Sequence, residues 1–281
     1  MSTYTNAKEL SKLTLGKATN YCSQYDPALL QAVPRSLNRD SLGIQADNLP
    51  FTGEDVWYGY ELSWLNDKGK PVVAVAEFRF ACTSDNIVES KSFKLYLNSF
   101  NQSKFSSWQQ VEDVLVRDLS TTAGVSALVK LYPVNNCPIL ALAPDNAQCI
   151  DDLDVEINTY QLEPELLKNA NQGGEVEEYL VCHLLKSNCL ITNQPDWASI
   201  YIKYIGEKIC HESLLKYLIS FRQHNEFHEQ CVERIFCDIQ HFCSISQLSV
   251  FARYTRRGGL DINPFRSTSE QNAPKLRTLR Q

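Results

Sequence analysis

A repeat inside the chain limits its fold more than any other feature. Shifted by 121 residues without gaps, 89–118 and 210–239 agree at nine of thirty positions, including Tyr96/Tyr217, Leu97/Leu218, Ser99/Ser220, Phe100/Phe221, Gln109/Gln230, Val111/Val232 and Glu112/Glu233. Unrelated sequences agree at roughly one position in fifteen to twenty, so two amphipathic helices alike only in composition account poorly for the match. We read a duplicated strand–strand–helix–helix unit, which turns 281 residues into two related halves.

Local patterns fill that unit. Alternation begins near Trp57 and is clearest over 72–80, and the turn-forming Asn66-Asp67-Lys68-Gly69-Lys70 between these stretches predicts a hairpin. Phe93, Tyr96, Leu97 and Phe100 fall at helical spacing, and a second helix is predicted over 107–119 with Val111, Val114 and Leu115 inward. Residues 129–134 and 138–142 read as strands. In the second half 199–205 reads as a strand. Leu214, Leu218 and Phe221 mark a helix, and Val232, Ile235, Phe236, Ile239 and Phe242 mark a longer one. A final strand is predicted over 247–254. The boundaries expected are an irregular arm (1–55), a first repeat (56–160), a polar linker (161–178) and a second repeat (179–281). The last carries a basic C-terminal segment. From Arg253 onward seven basic residues face two acidic ones, a net +5 that leaves −11 for the rest of a chain totalling −6.

The acidic total argues against a generally basic nucleic-acid binder. No apolar run reaches the roughly 18 residues of a membrane span, and MSTYTNAKELSKL lacks the apolar core of a secretory signal. A cytoplasmic protein is expected. Ten cysteines at irregular spacings, with no CxxC pair, suggest neither a disulfide framework nor a zinc ribbon, and most read as small buried apolar residues.

The repeats differ where chemistry is possible. Glu89, Ser90 and Lys91 stand opposite Cys210, His211 and Glu212; Cys189, Asp196, His228 and Glu229 stand opposite Lys68, Val75, Ser107 and Trp108. Either each half keeps part of one composite site, or these are unrelated surface residues. Cys189 opens a polar loop that Pro195-Asp196 closes. A thiolate is a nucleophile and a leaving group, and a buried carboxyl can donate a proton; a Cys and an Asp in one loop are also a common accident. His224, His228, Glu229 and Cys231 form a second cluster, but HExxH is absent and no metal is expected. There is no GxGxxG and no Walker A. Lys91, Lys94 and Arg256-Arg257-Gly258-Gly259 are the candidates for phosphate contacts, against the plainer reading of a solvated basic tail.

Taken together, Glu89-Ser90-Lys91-Ser92-Phe93-Lys94-Leu95-Tyr96, the Cys189–Asp196 loop with Gln194-Pro195-Asp196, Phe227-His228-Glu229 and Arg257-Gly258-Gly259 resemble the NADPH-dependent 7-cyano-7-deazaguanine reductases, in their long two-repeat form. The likeness covers roughly residues 50 to 270. It implies an α+β tunnelling fold, each repeat an antiparallel sheet backed by two helices. It implies reduction of a nitrile to a primary amine in the route to queuosine in tRNA, with the free base as substrate. Cys189 would add to the nitrile carbon to give a thioimide, Asp196 would protonate the nitrogen, and His228 would pack on or hydrogen-bond the base and assist proton transfer. Val88, Glu89, Ser90, His228 and Glu229 would bind substrate. Ser90, Lys91, Arg257 and Gly258, with Lys94 as a further candidate, would bind NADPH, used twice per turnover. A homodimer is implied, with neither nucleic acid nor membrane as partner. Cys231, if it lies near Cys189, would pair with it in a reversible protective disulfide; a buried core thiol is the other reading. Two competing functions remain at this stage. A purine or pterin cyclohydrolase of the same fold would need a metal or another acid–base set, and a non-catalytic purine-binding paralogue would not need Cys189.

Overall fold

A segment rich in Pro, Asn, Asp and Ser offers little to a core. Residues 21–50 accordingly hold only short pieces: β1 (Ala32–Pro34), α1 (Ser36–Arg39) and two 3-10 turns, Pro27–Leu29 and Asp40–Leu42. The computed structural model describes residues 21–137, 146–275 and 277–281. These form two units: 21–46, 55–137 and 256–262 in the first, and 47–54, 146–255 and 263–281 in the second.

In the first unit β2 (Thr52–Leu65), whose first three residues belong to the second unit, and β3 (Pro71–Ala81) are joined by the expected turn. Asn66 Oδ1 accepts from the Lys68 and Lys70 amides at 3.0 and 2.9 Å, and Gly69 takes φ +77°. The strand β4 (Asn86–Val88) pairs antiparallel with β1 and ties the arm down. Two helices follow, α2 (Ser90–Ser99) and α3 (Trp108–Ala123), then β5 (Leu128–Pro133), which pairs antiparallel with β3. Alternation puts Ala74, Ala76, Phe78 and Phe80 inward, and the helical spacing brings Phe93, Tyr96, Leu97 and Phe100 onto them. The rings meet edge to face, with Phe78–Phe93 at 4.9 Å and Tyr96–Phe100 at 5.2 Å between centroids. Ser107 caps α3 by accepting from the Gln110 amide at 3.1 Å, and Gly124 at φ +76° ends it.

The second unit contains β6 (Gln148–Cys149), β7 (Asn171–Cys182), β8 (Lys186–Asn188), β9 (Pro195–Ile209), α4 (His211–Ser220), α5 (His228–Phe242), β10 (Ile245–Tyr254) and β11 (Leu260–Ser267), of which the last begins in the first unit. Its strands run in the order β11-β10-β9-β7-β6, with β8 paired to β9. All the pairings are antiparallel except β6–β7.

The two helix pairs match in detail. Ser99 and Ser220 each donate to the carbonyl three residues back, Tyr96 and Tyr217, at 2.6 Å. The Tyr96 hydroxyl donates to Asp118 at 2.7 Å and that of Tyr217 to Asp238 at 2.6 Å. Burial and the neighbouring carboxylate push both phenols far above their usual range.

Three expectations need correction or limits. The polar stretch 161–178 is not all linker: β7 starts at Asn171, and its first half is largely exposed and bulged, with Gly173 and Gly174 at positive φ. The strand over 247–254 is not the last, since β11 follows it. The basic segment is only in part a solvated tail: Arg253 and Arg266 are almost wholly buried, while Arg256, Lys275 and Arg280 are exposed. The strand expected at 138–142 lies outside the described residues.

Candidate active site

The hairpin register positions the candidate nucleophile, Cys189. Asn188 stands opposite Pro195 and Ser187 opposite Asp196, so Cys189 leaves β8 just as β9 arrives. The six-residue loop closes on itself: the Cys189 amide donates to the Gln194 carbonyl at 2.8 Å, and the Asn193 amide to the Cys189 carbonyl at 3.0 Å. Asn193 takes the left-handed conformation, φ +55°, which Asn tolerates better than most residues. From outside the loop, Asn225 Nδ2 donates to the Cys189 carbonyl at 3.0 Å and to Asn193 Oδ1 at 2.9 Å. Sequence reading passed over Asn225. Its side chain holds the backbone of the candidate nucleophile still.

Asp196 is buried at 3% exposure, and His228 Nε2 lies 3.3 Å from its Oδ2. His228 is the first residue of α5 and Glu229 the second, so the start of one helix carries two candidate side chains, of which His228 meets the hairpin. The imidazole stacks on Tyr254, with centroids 3.8 Å apart and planes 15° from parallel. Tyr254 ends β10 and is also new to the site; only an apolar-strand signal marked it. His228 Nδ1 and Thr192 Oγ1 are buried without a hydrogen-bond partner among the described residues. Such groups cost free energy unless something polar meets them. Cys231 sits one turn along α5, fully buried. Burial pushes its thiol well above the usual cysteine range, with Ser187 and Tyr254 as neighbours, and both Cys189 and Cys231 are free thiols.

The other predicted residues lie in the first unit. Val88 ends β4, paired with Ala32. Glu89 caps α2: its carboxylate accepts from the Lys91 amide at 2.8 Å and the Ser92 amide at 2.7 Å. Burial raises its pKa, against those two amides and the charges of Lys94 and Lys91. Ser90 and Lys91 are the first two residues of α2. Arg257 and Leu260 exchange backbone hydrogen bonds across Gly258 and Gly259, at φ +56° and +75°, the signature of a tight type I′ turn. A Cβ on Gly258 would lie 3.1 Å from Lys94 Cδ, so the Lys94 stem runs directly over this turn. The structure thus joins two predicted phosphate-binding motifs, Lys94 and Arg257-Gly258, that are far apart in sequence.

A curated relative, the NADPH-dependent 7-cyano-7-deazaguanine reductase of Colwellia psychrerythraea (strain 34H / ATCC BAA-681), is 69% identical over 286 residues and covers all of both chains. The chain belongs to the NADPH-dependent 7-cyano-7-deazaguanine reductase family. Two family models agree: residues 21–131 match the N-terminal part of nitrile reductase, 7-cyano-7-deazaguanine reductase, and residues 195–273 match QueF-like protein. Val88 to Lys94 fall in the first match and Asp196, His228, Glu229, Arg257 and Gly258 in the second; Cys189 precedes it. A solved structure titled archaeosine synthase QueF-Like in the apo form aligns over 37% of this chain and 99% of its own, at 15% identity and a TM-score of 0.30, too slight a likeness to build on.

Proposed function

We propose that this oxidoreductase reduces the nitrile of 7-cyano-7-deazaguanine to the aminomethyl group with NADPH, in queuosine biosynthesis. The observation that carries the mechanism is the β8–β9 hairpin, in which Cys189 follows β8 and Asp196 stands opposite Ser187, with His228 3.3 Å from that carboxyl. A nitrile carbon is electrophilic but takes a nucleophile better once its nitrogen can accept a proton. Cys189 adds through its thiolate, one π pair moves to nitrogen, and the Asp196 carboxyl protonates it, leaving a thioimide. NADPH, when bound, supplies hydride, twice for each nitrile. Between the two reductions the C–S bond breaks, and Cys189 departs as a thiolate, which a serine alkoxide would do far less readily. His228 holds the Asp196 carboxyl and returns a proton to it. Its orphaned Nδ1 and the buried Glu229 suit a base edge rich in N–H and ring nitrogen. Val88, Glu89 and Ser90 are the proposed substrate contacts of the first unit.

The first unit fits an anionic dinucleotide through side chains. Glu89 already takes the Lys91 and Ser92 amides, so the start of α2 offers its lysines more than its backbone. Lys91, Lys94 and Arg257 are the cations for the phosphates, with Ser90 beside them, and Gly258 lets the chain pass under Lys94. Gly258→Ala puts a Cβ at positive φ and against Lys94, so we expect KM for NADPH to rise about tenfold, with kcat falling less. Steady-state kinetics with NADPH varied will read it.

The proposal extends to a tunnelling fold of two repeats, about 56–160 and 179–281, and to a cytoplasmic homodimer that binds neither nucleic acid nor membrane. Among the described residues no helix is long and apolar enough to cross a bilayer. The test is incubation with 7-cyano-7-deazaguanine and NADPH while the nicotinamide absorbance is followed. Two NADPH oxidised per amine formed is the expected result. No oxidation by the folded protein overturns the reading.

A further inference from the structure

A second cluster of reactive groups lies in the second unit, and the proposed reduction does not use it. The parallel pairing of β6 with β7 sets Cys149 opposite Val181, and the Ile150 amide continues the ladder by donating to the Val181 carbonyl at 3.0 Å. In that register 149 and 151 share one face, and 183 arrives beside 151. The His183 amide donates to both Asp151 carboxylate oxygens, at 3.0 and 3.2 Å. One thiol, one carboxylate and one imidazole then converge, their donor atoms within 4.8 Å of one another. The imidazole is itself held, with His183 Nδ1 2.8 Å from Ser199 Oγ, the kind of outer contact that orients a metal-binding histidine. Arg280 braces the same region by donating to the His183 and Ala198 carbonyls at 2.8 and 3.0 Å. Cys149 is exposed, so an ion can reach the cluster.

We propose that Cys149, Asp151 and His183 form a binding site for a divalent transition metal of the zinc class, with one position left to water. Sulfur, nitrogen and oxygen donors together suit zinc better than magnesium or calcium, which prefer all-oxygen sets. Binding expels the Cys149 thiol proton to solvent, so metal uptake releases one proton and weakens as pH falls. The site is a staple: it pins the short β6 to the start of the β7–β8 connection, three strand residues from Asp196 along β9. It takes no part in reduction. No CxxC or HExxH marks it, because its donors come from the ends of two strands that the parallel register brings together.

Cobalt(II) is the probe, since thiolate coordination gives a near-ultraviolet charge-transfer band. The metal-free full chain is titrated with cobalt and then with zinc, alongside Cys149→Ser, His183→Gln and Cys189→Ser. The expected result is one cobalt per chain, a charge-transfer band that zinc displaces, and a raised Tm with either metal. Cys149→Ser should lose the band and His183→Gln should weaken binding at least tenfold, while Cys189→Ser keeps both. Absence of stoichiometric binding to folded wild-type protein overturns the site. So does a band that survives Cys149→Ser or vanishes with Cys189→Ser, which would place the metal at the nucleophile. If one variant fails to fold, the other still decides. Reduction does not enter these readouts, so failure here leaves the proposed function standing, and the reverse.

Discussion

Cys189→Ala is expected to lose at least about 10⁴-fold in turnover while still binding substrate, because removal of a covalent nucleophile leaves only positioning and electrostatics. The wild-type protein mixed with 7-cyano-7-deazaguanine, without NADPH, should gain the mass of the substrate on the peptide carrying Cys189. The alanine variant should show no adduct. Cys189→Ser separates addition from departure, since a hydroxyl attacks weakly and leaves poorly. Turnover by Cys189→Ala near the wild-type rate would dismiss covalent catalysis, and a mass gain on another cysteine would reassign it. The loop needs no rearrangement in these variants, as the hydrogen bonds that shape it come from backbone groups and Asn225.

The second large effect lies in the segment that composition suggested was solvated. Arg266 in β11 is wholly buried and donates from Nε and Nη2 to Glu233 Oε1 at 3.1 and 2.8 Å, and from Nη1 to the Phe265 carbonyl at 2.8 Å. Its guanidinium also lies over the Phe51 ring at 5.4 Å. Arg266→Ala would take from the Glu233 carboxylate, at 2% exposure, a buried cation and two hydrogen bonds, which typically costs about 3–5 kcal/mol. Chemical denaturation should show that loss. Arg266→Met with Glu233→Gln should recover part of it, because the buried carboxylate charge is then gone. Equal stability of Arg266→Ala and wild type would mean that the pair does not hold β11 to α5.

Where local pattern and tertiary environment agree, the chain was legible. The spacing of Phe93, Tyr96, Leu97 and Phe100 needs only a helix and an apolar partner, and it has both. The Asn66–Lys70 turn is set by its own side chain and glycine. The Cys189–Asp196 loop was legible for the same reason, since one hairpin contains it. β11 was not. Its sequence, Leu-Asp-Ile-Asn-Pro-Phe-Arg-Ser, mixes Asp, Asn, Pro and Arg, yet all eight residues are buried. Distant groups make that possible: the Tyr60 hydroxyl donates to Asp261 at 2.7 Å, and Gln281 Nε2 to Asn263 Oδ1 at 2.7 Å. Period-two reading sees polarity there and cannot see partners far along the chain. Tyr254 under His228 and Asn225 behind Cys189 escaped for the same reason. The early part of β7 escaped for another: it is exposed, glycine-containing and bulged, and looks like a connector.

The β8–β9 hairpin also restricts how this loop can drift in evolution. Side chains along a strand alternate faces, so a shift of one residue between Ser187 and Asp196 would turn Asp196 away from His228. Losses or gains within 189–194 that slide the register are therefore tolerable only in pairs, or when a bulge absorbs the odd residue. Length variation among descendants of this chain should fall elsewhere first, and the spacing from thiol to carboxyl should behave as a fixed unit even where the residues between them change.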